Sequence, residues 1–362
     1  FLLKSIAIFQ PLPKNFFSYK LKQLNYDIGH NWSTNSSISS MNFDFSKKFR
    51  NKKQLSYNYY SLFIDNDNFA YGMKHYSSFK KLYFYYDLEL FNVLNNNSQI
   101  RRGKDYLKLN YSGFGYRNSW LNLQIGRGRE NWGSGSDIDL ALSINSEPYD
   151  YLLISSNYGK IRVNYIHGFL ETIPNSINRF INARGIEWVN NRNMIVGFSE
   201  TVIYSGYNRS LDVAYINPIS SHLELELNNR LNQIGNLNAN AVWQFHFDYI
   251  IKNRSRISIN YLYDEFVLDT DIEIGKEHGR AYSLRFSHSP FSKLENRFYI
   301  YTSTIFVGTP TFRHSLGSNN FVQKNKPLGW KNGSDSYEKR FGISYLNKEK
   351  LIFDLSLGSL IA

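Results

Sequence analysis

Apolar and polar residues alternate at a period of two along most of the chain. In one such run Trp243, Phe245 and Phe247 alternate with Gln244 and Asp248. Alternation at this period gives a strand one apolar and one polar face. Clusters of Asn, Asp, Ser and Gly separate the runs and are typical of turns. Because no segment carries an i, i+3, i+4 stripe over three turns, the pattern predicts an all-β chain.

The length and number of the runs favour an antiparallel transmembrane β-barrel of the outer-membrane type. Alternation alone also fits a soluble β-sandwich, but sandwich strands are usually about 5 to 6 residues long. These runs extend over about 9 to 14 residues with aromatic residues near their ends, as membrane strands with aromatic girdles require. No repeat of about 40 to 50 residues indicates a propeller. We count about 16 to 18 strands.

The chain divides into two unequal parts in this interpretation. Residues 1–20 are predicted to be an N-terminal segment left from export or from a periplasmic part, and residues 21–362 a single barrel domain, incomplete at its ends. No apolar run approaches the ~18 residues that a transmembrane helix requires. The predicted membrane contact is therefore made by strands.

Composition narrows the classes of partner. The chain has 42 Lys and Arg against 30 Asp and Glu, for a net charge of +12, and its aromatic content is 17%. A basic excess suits nucleic acid, anionic lipid or acidic polysaccharide, and composition does not choose among them. The absence of cysteine excludes disulfides and thiolate metal sites.

A glycine-rich stretch at residues 126–135 lies between two alternating runs, at residues 121–125 and 137–143. Both runs are predicted to be strands. Four glycines allow positive φ and close approach of the backbone to another group. This glycine corner is either a recognition site or a strand bend with solvated charges.

The other positions of the corner supply recognition chemistry. Arg127 and Arg129 offer guanidinium forks, Glu130 a carboxylate that would orient an arginine, and Trp132 an indole that would stack on a sugar ring. We expect these side chains near the outer mouth of the lumen, because long loops lie outside the cell in such barrels. The alternative is that they only brace the barrel wall.

The region from residue 308 to 337 breaks the alternating pattern. It contains prolines, cations and aromatic residues, including His314 and Trp330. A loop of this length on a barrel rim is usually functional or disordered. Aromatic faces stack on sugar rings and cations pair with acidic groups, so the sequence predicts a ligand-binding loop beside the glycine corner.

The polar faces of the predicted strands supply a charged lumen. Opposite charges in a confined space pair strongly and narrow the passage, although a water-filled porin eyelet uses the same residue types. We expect interlocking charges rather than an open aqueous path. The predicted lumen residues are Arg162, Glu224, Glu226, Asp248, Asp264 and Arg285.

Enzyme chemistry is disfavoured. The acid pairs Glu224/Glu226 and Asp269/Asp271 lie at i and i+2, which on a strand merely places both carboxylates on one face. Residues 133–137 lack the closing glycine of a nucleophile elbow. No phosphate-binding or dinucleotide motif occurs, and the histidines do not gather at metal-ligand spacing. We predict no cofactor, no metal and, because Lys and Arg are scattered, no nucleic-acid partner.

Several stretches taken in order resemble one family. The motifs are Gly126-Arg127 with Trp132-Gly133-x-Gly135, Leu140-x-Leu142-Ser143, Glu200-x-x-Ile203-Tyr204, Tyr215-Ile216-Asn217-Pro218, Asp248, Ile259-Asn260-Tyr261-x-Tyr263-Asp264-Glu265-Phe266, Glu295-x-x-Phe298 with Tyr301, Phe312-x-His314 and Pro327-Leu328-Gly329. This set is similar to the Wzi-like capsule assembly proteins of the bacterial outer membrane. The likeness extends over about residues 120–345.

The resemblance implies a barrel of about eighteen strands in the bacterial outer membrane. It also implies a lectin-like, non-enzymatic role in retaining capsular or exopolysaccharide, acidic polymers included, at the cell surface. Arg129 stands where the family usually carries an acid, and the helical periplasmic part of the family is absent or reduced to the first twenty residues. A general or substrate-selective porin is the second hypothesis and an enzyme embedded in the barrel the third. We expect outer-membrane lipid as a partner and a monomer as the working unit.

Overall fold

The computed structural model describes eleven ranges of the chain. They are residues 54–65, 68–92, 105–135, 137–190, 193–233, 239–251, 254–265, 278–290, 297–314, 317–346 and 352–362. The predicted N-terminal segment at residues 1–20 and the acid pair Asp269/Asp271 lie outside the described residues.

Long antiparallel strands dominate the described chain. The first nine are β1 (Gln54–Asp65), β2 (Asn68–Phe79), β3 (Leu82–Asn92), β4 (Asp105–Arg117), β5 (Leu121–Gly128), β6 (Tyr149–Tyr158), β7 (Ile161–Ile173), β8 (Ile177–Val189) and β9 (Met194–Tyr207). A 3-10 turn (Val213–Ile216) and the short helix α1 (His222–Leu227) follow β9. The remaining strands are β10 (Ala239–Ile251), β11 (Ser255–Glu265), β12 (Gly279–His288), β13 (Arg297–Val307), β14 (Val322–Gln323), β15 (Lys326–Pro327), β16 (Ser336–Leu346) and β17 (Ile352–Ile361).

Within the described ranges, fifteen of these strands form one sheet. Each strand pairs with its sequence neighbour in the order β1 to β13, then β16 and β17, while β14 and β15 form a separate two-stranded ribbon. Up-and-down pairing of this kind needs only hairpin connections, which is the topology of an outer-membrane barrel. Among the described residues, no helix is long and apolar enough to cross a membrane.

The two faces of the sheet differ as the alternation predicts. On β10 and β12, Phe245 and Leu284 point outward and are 45% and 40% exposed, whereas Gln244 and Ser283 on the opposite face are almost completely buried. An exposed apolar face around a polar interior is the arrangement of a membrane barrel, in which lipid solvates the outside. The predicted orientation of these strands is confirmed.

The sheet curls around loops that fill its interior. Arg285 on β12 contacts Asp137, which follows β5, and Arg179 on β8 contacts Ser318, which follows β13. Strands far apart in the sheet order therefore meet the same central loops from different sides. The all-β barrel of the outer-membrane type is confirmed, with fifteen long strands within the described residues.

Tyrosines on the inner face lie across glycines of the neighbouring strand. A Cβ added to Gly115 would meet the Tyr83 hydroxyl at 2.3 Å, and one added to Gly342 would meet the Tyr301 ring at the same distance. The Tyr83 hydroxyl donates to Asn122 at 2.8 Å. Glycine is required at these positions because the rings occupy the space of a side chain.

Connection lengths distinguish the two ends of the barrel. Connections between β2 and β3, β4 and β5, and β6 and β7 are tight turns at one end. Longer connections leave the opposite end, and the structure describes three of them: residues 129–148 apart from 136, residues 208–233, and residues 308–335 apart from 315 and 316. Barrels of this class have short periplasmic turns and long extracellular loops. The long connections therefore mark the extracellular end.

Two predicted strands are wrong. Residues 137–143 form an irregular segment and not a strand of the sheet: the Ala141 N–H donates to the Gln244 side chain, and the Ser143 N–H donates to the Leu328 carbonyl of a distant loop. Residues 222–227 form α1, because the Ser221 side chain accepts from the Glu224 N–H at the helix start.

The helix changes the placement of two predicted lumen residues. On a strand Glu224 and Glu226 would share one face of the wall, whereas on α1 they lie on a connection between β9 and β10. Glu224 is half-exposed and pairs with Arg230 at 2.7 Å. His222 and Leu225, spaced at i and i+3, are the buried residues of the helix. The prediction that these carboxylates line the lumen is wrong.

The lipid-facing assignment yields a stability prediction. Leu284→Arg places a cation in the middle of the outward face of β12, where it should lower the free energy of unfolding by about 2 to 4 kcal/mol. Tyr158→Arg, at the periplasmic end of β6, is the control and should cost about 0 to 1 kcal/mol. Urea unfolding in lipid vesicles measures both. Equal costs at the two positions would contradict the orientation.

Candidate functional site

The residues of the glycine corner are divided between the end of β5 and the loop that follows it. Arg127 still belongs to β5 and shares the outward face with Ile125, pairing with Asp150 at 2.7 Å. Arg129 turns inward, where it donates to the Ser146 carbonyl at 2.5 Å and to the Tyr111 hydroxyl at 3.0 Å. The two arginines, both expected near the outer mouth of the lumen, therefore lie on opposite faces of the wall and do not come together.

Glu130 and Trp132 are buried beside each other. Glu130 accepts from the Tyr151 hydroxyl at 2.7 Å and from the Trp132 indole N–H at 3.3 Å. The Trp132 side chain is only 7% exposed, and Trp330 only 2%. Stacking on a sugar ring requires an exposed face, which neither indole offers in this structure. Both tryptophans instead pack into the apolar cluster that fills the barrel mouth.

Residues 129–148, which we call the inner loop, descend into the barrel. Ile138, Leu140 and Leu142 are completely or almost completely buried. The Asn260 amide on β11 donates to the carbonyls of Ser134 and Ile138, at 2.7 and 3.2 Å. Buried backbone groups need such partners, and here the barrel wall supplies them from its polar face.

Asp137 anchors the tip of the inner loop. Its carboxylate pairs with Arg285 at 2.9 Å and with Arg340 on β16 at 3.1 Å, and the side chains of Asp137 and Arg285 are almost completely buried. The Arg285 guanidinium also lies 3.7 Å from the centre of the Tyr301 ring. Ion pairs in a space of low dielectric constant are strong, and losing one partner leaves an uncompensated charge.

Residues 308–335, which we call the outer loop, lie against the inner loop. The Ser143 N–H donates to Leu328 O at 2.8 Å, and the Trp330 N–H donates to Leu140 O at 2.9 Å. Between them, a Cβ on Gly329 would come within 1.6 Å of Leu140 O. Glycine is therefore required for the close approach of the two backbones. Together we call the inner and outer loops the lid.

Arg179 on β8 holds the other side of the outer loop. Its guanidinium donates to the carbonyls of Ser318, Asn320 and Val322, and pairs with Glu171 at 2.6 Å. The fixed fork of a guanidinium suits several acceptors at once. The outer loop thus crosses from β13 to the opposite wall.

Glu147 fastens the outer edge of the lid. Its carboxylate pairs with Lys108 on β4 at 3.1 Å and also with Lys326 of the outer loop. Burial alone raises the pKa of Glu147, but hydrogen bonds to Lys326 and Lys108 outweigh it and lower the pKa from 4.5 to about 2. The carboxylate is therefore ionised at neutral pH and links three elements.

The remaining predicted lumen residues lie on the inner face. Asp248 accepts two N–H groups of Arg256, one of them at 2.7 Å. Asp264 accepts from the Phe312 N–H of the outer loop. Arg162 lies 3.9 Å from Glu187, which also contacts His246. Asp248 and Arg162 thus lie next to groups of opposite charge, whereas the described partner of Asp264 is a backbone amide.

The exposed side of the lid carries polar and basic residues. Arg313, Lys324, Lys326 and Lys331 are all exposed there. Arg313 pairs with the exposed Asp335 at 2.9 Å. His314 is half-exposed, and its N–H donates to Asn320. This surface, and not the buried indoles, is the part of the lid that a large extracellular molecule can reach.

Sequence reasoning missed the side chains that hold the lid. It placed Gln244 and Asn260 on polar strand faces without a loop as their partner, and did not single out Arg179 or Arg340. The one available signal was the apolar character of residues 138–142, which is too great for an exposed loop. No group of three or more His, Asp or Glu among the described residues is arranged to hold a metal ion.

Comparison with solved structures identifies the architecture. The chain is similar to Wzi of Escherichia coli, an outer-membrane protein involved in group 1 capsule assembly and a carbohydrate-binding β-barrel. The TM-score is 0.61 at 10% identity, over 85% of this chain and 70% of that chain. The fold is that of an outer-membrane β-barrel. At this identity the likeness shows the fold alone.

Two further similarities are weaker. A loop L8 deletion mutant of OmpT from Vibrio cholerae gives a TM-score of 0.43 at 9% identity, over 85% of this chain and 92% of that chain. OccK8 (OprE) of Pseudomonas aeruginosa gives 0.36 at 12% identity, over 85% and 93% of the two chains. No protein-family model and no curated protein matches the sequence. With its lipid-facing wall, the chain is an outer-membrane protein.

The Asp137 anchor generates a prediction for the lid. Asp137→Asn removes the carboxylate that pairs with the buried Arg285 and leaves Arg340 with Glu338 alone, and should destabilise the docked inner loop by about 3 to 5 kcal/mol. Trypsin cleavage after Arg129 measures release of the loop from the lumen. Asp150→Asn removes the exposed pair with Arg127 and is the control, with a cost of about 1 kcal/mol or less. Unchanged protection in Asp137→Asn would contradict the anchor.

The Glu147 pairs predict a pH dependence. Because the folded pKa is lowered from 4.5 to about 2, the pairs stabilise the protein fully above the unfolded pKa. This contribution is lost as the pH falls through that window. The melting temperature in non-ionic detergent should exceed that of Glu147→Gln at pH 6, and the difference should disappear near pH 2. A difference that does not change with pH would exclude this role.

Proposed function

We propose that this outer-membrane barrel binds and retains capsular or extracellular polysaccharide at the cell surface without catalysing its conversion. The observation that carries the proposal is the lid. Two extracellular loops cross the barrel mouth, join each other by backbone hydrogen bonds, and are fixed to the wall by Asp137 and Arg179. A rigid, ordered outer surface is suited to holding a polymer, because little conformational freedom is lost on binding.

The charge of the lid surface indicates the kind of polymer. Arg313, Lys324, Lys326 and Lys331 are exposed on one loop. Sugars that carry carboxylates or other acidic groups are the natural ligands for such a surface. Because these groups repeat along a polymer, several of them can bind the same surface at once. Arg127 and Asp150 on the outer rim, and His314 on the outer loop, offer additional polar contacts.

The positions of the carboxylates in the lid are better explained by a binding protein than by an enzyme. Glycoside hydrolysis requires two acids that flank a sugar in an accessible cleft. Glu130 is buried against Tyr151 and Trp132, and Asp137 against Arg285. These acids are used to position other side chains. Sequence analysis assigns Glu130 to the orientation of an arginine, whereas its carboxylate accepts hydrogen bonds from Tyr151 and Trp132.

A porin is the second candidate. The half-buried Arg162 and Glu187, with His246, line the inner face nearer the periplasmic end, and paired charges of this kind also occur in porin constrictions. A porin requires a continuous aqueous path, however, and the docked lid lies across the extracellular end of such a path. The lid therefore favours retention.

The basic surface generates the test. Replacing Arg313, Lys324 and Lys331 together by Gln should weaken binding of an acidic polysaccharide by about tenfold or more, equivalent to about 1.4 kcal/mol. The binding of the parent protein should also weaken with salt, since exposed charges are screened. Equilibrium binding of detergent-solubilised protein to fluorescently labelled alginate measures both.

The matched control removes the same charge at the opposite end of the barrel. Lys80, Lys81 and Lys160 are exposed in the short turns, and their combined replacement by Gln should leave binding unchanged. Equal losses in the two triple variants would mean that net charge alone attracts the polymer. Absence of binding by the parent protein to any acidic or neutral glycan would refute the proposal.

A further inference from the structure

The connection after β9 folds onto the outside of the barrel. We call residues 208–233, which carry the 3-10 turn and α1, the lateral segment. Phe198, Val202 and Tyr204 share the outward face of β9, yet Phe198 is exposed while Val202 and Tyr204 are completely buried. Tyr215 and Leu225 of the lateral segment cover them. The lid and the lateral segment thus occupy opposite faces of the same wall.

A charged pair lies under the lateral segment. Arg184 on β8 and Glu200 on β9 face outward, 3.1 Å apart and almost completely buried. The His222 N–H donates to both Glu200 oxygens, at 3.0 and 3.2 Å, and the Trp243 indole donates at 3.0 Å. Arg184 in turn donates to the Asn217 carbonyl of the lateral segment at 3.1 Å. The lateral segment therefore supplies hydrogen bonds to both partners.

The depth of this pair explains why it must be covered. Trp188 lies four residues from Arg184 on β8, on the same outward face and towards the periplasmic turns. At about 3.3 Å per residue and a tilt of about 40°, Arg184 is ~10 Å further into the apolar band, which is ~25 Å tall. An uncovered ion pair at that depth would face acyl chains. Charges on a lipid-facing wall are strongly destabilising.

The lateral segment is fixed to the wall along its length. The Tyr165 hydroxyl on β7 donates to Tyr215 O at 2.9 Å. Phe180, Tyr204 and Tyr215 form a continuous stack with ring centroids 5.1 and 4.8 Å apart. These contacts join the Glu200-x-x-Ile203-Tyr204 and Tyr215-Ile216-Asn217-Pro218 motifs, to which the proposed function assigns no role. Their physical role is to clasp the segment to the barrel.

The lateral segment exposes several large apolar side chains. Ile219 is 89% exposed, and five other apolar residues of the segment are exposed as well. The exposed apolar residues of the segment are Leu211, Val213, Ile216, Ile219, Leu223 and Leu227. Below them, towards the periplasm, the lipid-facing wall continues with the exposed Ile186, Phe198 and Phe245. A contiguous apolar surface of this kind marks an interaction site rather than ordinary exposure.

We propose that the lateral segment is embedded in the outer leaflet, with its apolar side against lipid acyl chains and its polar side over the Arg184–Glu200 pair. Continuity with the lipid-facing wall identifies acyl chains as the occupant. The segment replaces a charged patch of the wall by an apolar one, so that lipid contacts an unbroken hydrophobic band. This interaction is independent of polysaccharide binding.

The chain contains no cysteine, so a single probe can be placed at will. Ile219→Cys, labelled with the environment-sensitive dye NBD, would be reconstituted as the full chain in phosphatidylcholine vesicles with and without doxyl-labelled lipid. Quenching by doxyl lipid should be within about twofold of that at Phe245→Cys on the wall, and several-fold above that at Lys331→Cys on the lid. Aqueous iodide should show the reverse order.

Two results would overturn the proposal. Iodide quenching at Ile219 equal to that at Lys331 would place the segment in water. Protection from both quenchers would mean that protein, and not lipid, covers it. Leu223→Cys and Leu227→Cys provide independent positions should one variant fail to give the heat-resistant form of the folded barrel on electrophoresis.

Discussion

A single buried carboxylate, that of Asp137, pairs with Arg285 and Arg340 inside the barrel and joins the inner loop to two strands of the wall. Two arginines of the lumen wall, on β12 and β16, hold one carboxylate of the inner loop. Tyr301 fixes the position of Arg285, and Gly342 makes room for the tyrosine ring. The wall thus offers a preformed site for its own inner loop, and apolar residues 138–142 are drawn into the mouth with it.

The docked inner loop in turn creates a surface for the outer loop. The Leu140 carbonyl accepts from the Trp330 N–H, and the Ser143 N–H donates to the Leu328 carbonyl. In a strand, a neighbouring strand would provide these hydrogen-bond partners. Arg179 then fixes the far side of the outer loop. The described extracellular connections therefore fold in two directions. The inner and outer loops fold inward over the lumen, and the lateral segment folds outward over a charged pair. Both arrangements follow from burying polar groups only where they find partners.

The faces of the strands could be predicted well from the sequence, whereas the structures of the connections could not. Alternation at Phe245 and Gln244, or at Leu284 and Ser283, fixes which residues face lipid, because a strand has only two faces. The same alternation was misleading at residues 137–143, where the strand-like apolar pattern belongs to a buried loop. The alternation at residues 223–228 likewise predicted a strand where α1 lies. The helix is determined by the Ser221 cap and by the buried i, i+3 pair of His222 and Leu225. The Ser-x-x-Glu signature at Ser221 was present but is weak in isolation.

The candidate site could be predicted in place but not in detail. Trp132 of the glycine corner and Trp330 of the outer loop belong to one apolar cluster, yet both indoles are buried and Arg127 faces outward. Residue type indicates what a side chain can bind, whereas exposure depends on long-range packing that one strand pattern does not encode. The side chains that a ligand can reach are the exposed cations on the lid. Sequence analysis instead gave the tryptophans the larger role in binding.

The proposed retention role requires that the lid close the lumen, whereas a porin requires an open one. Single-channel recording of the parent protein in planar bilayers distinguishes the two. Because the inner loop is docked on Arg285 and Arg340, we expect no large, stable conductance level at either polarity. A large and persistent ohmic conductance would contradict it and establish an open porin.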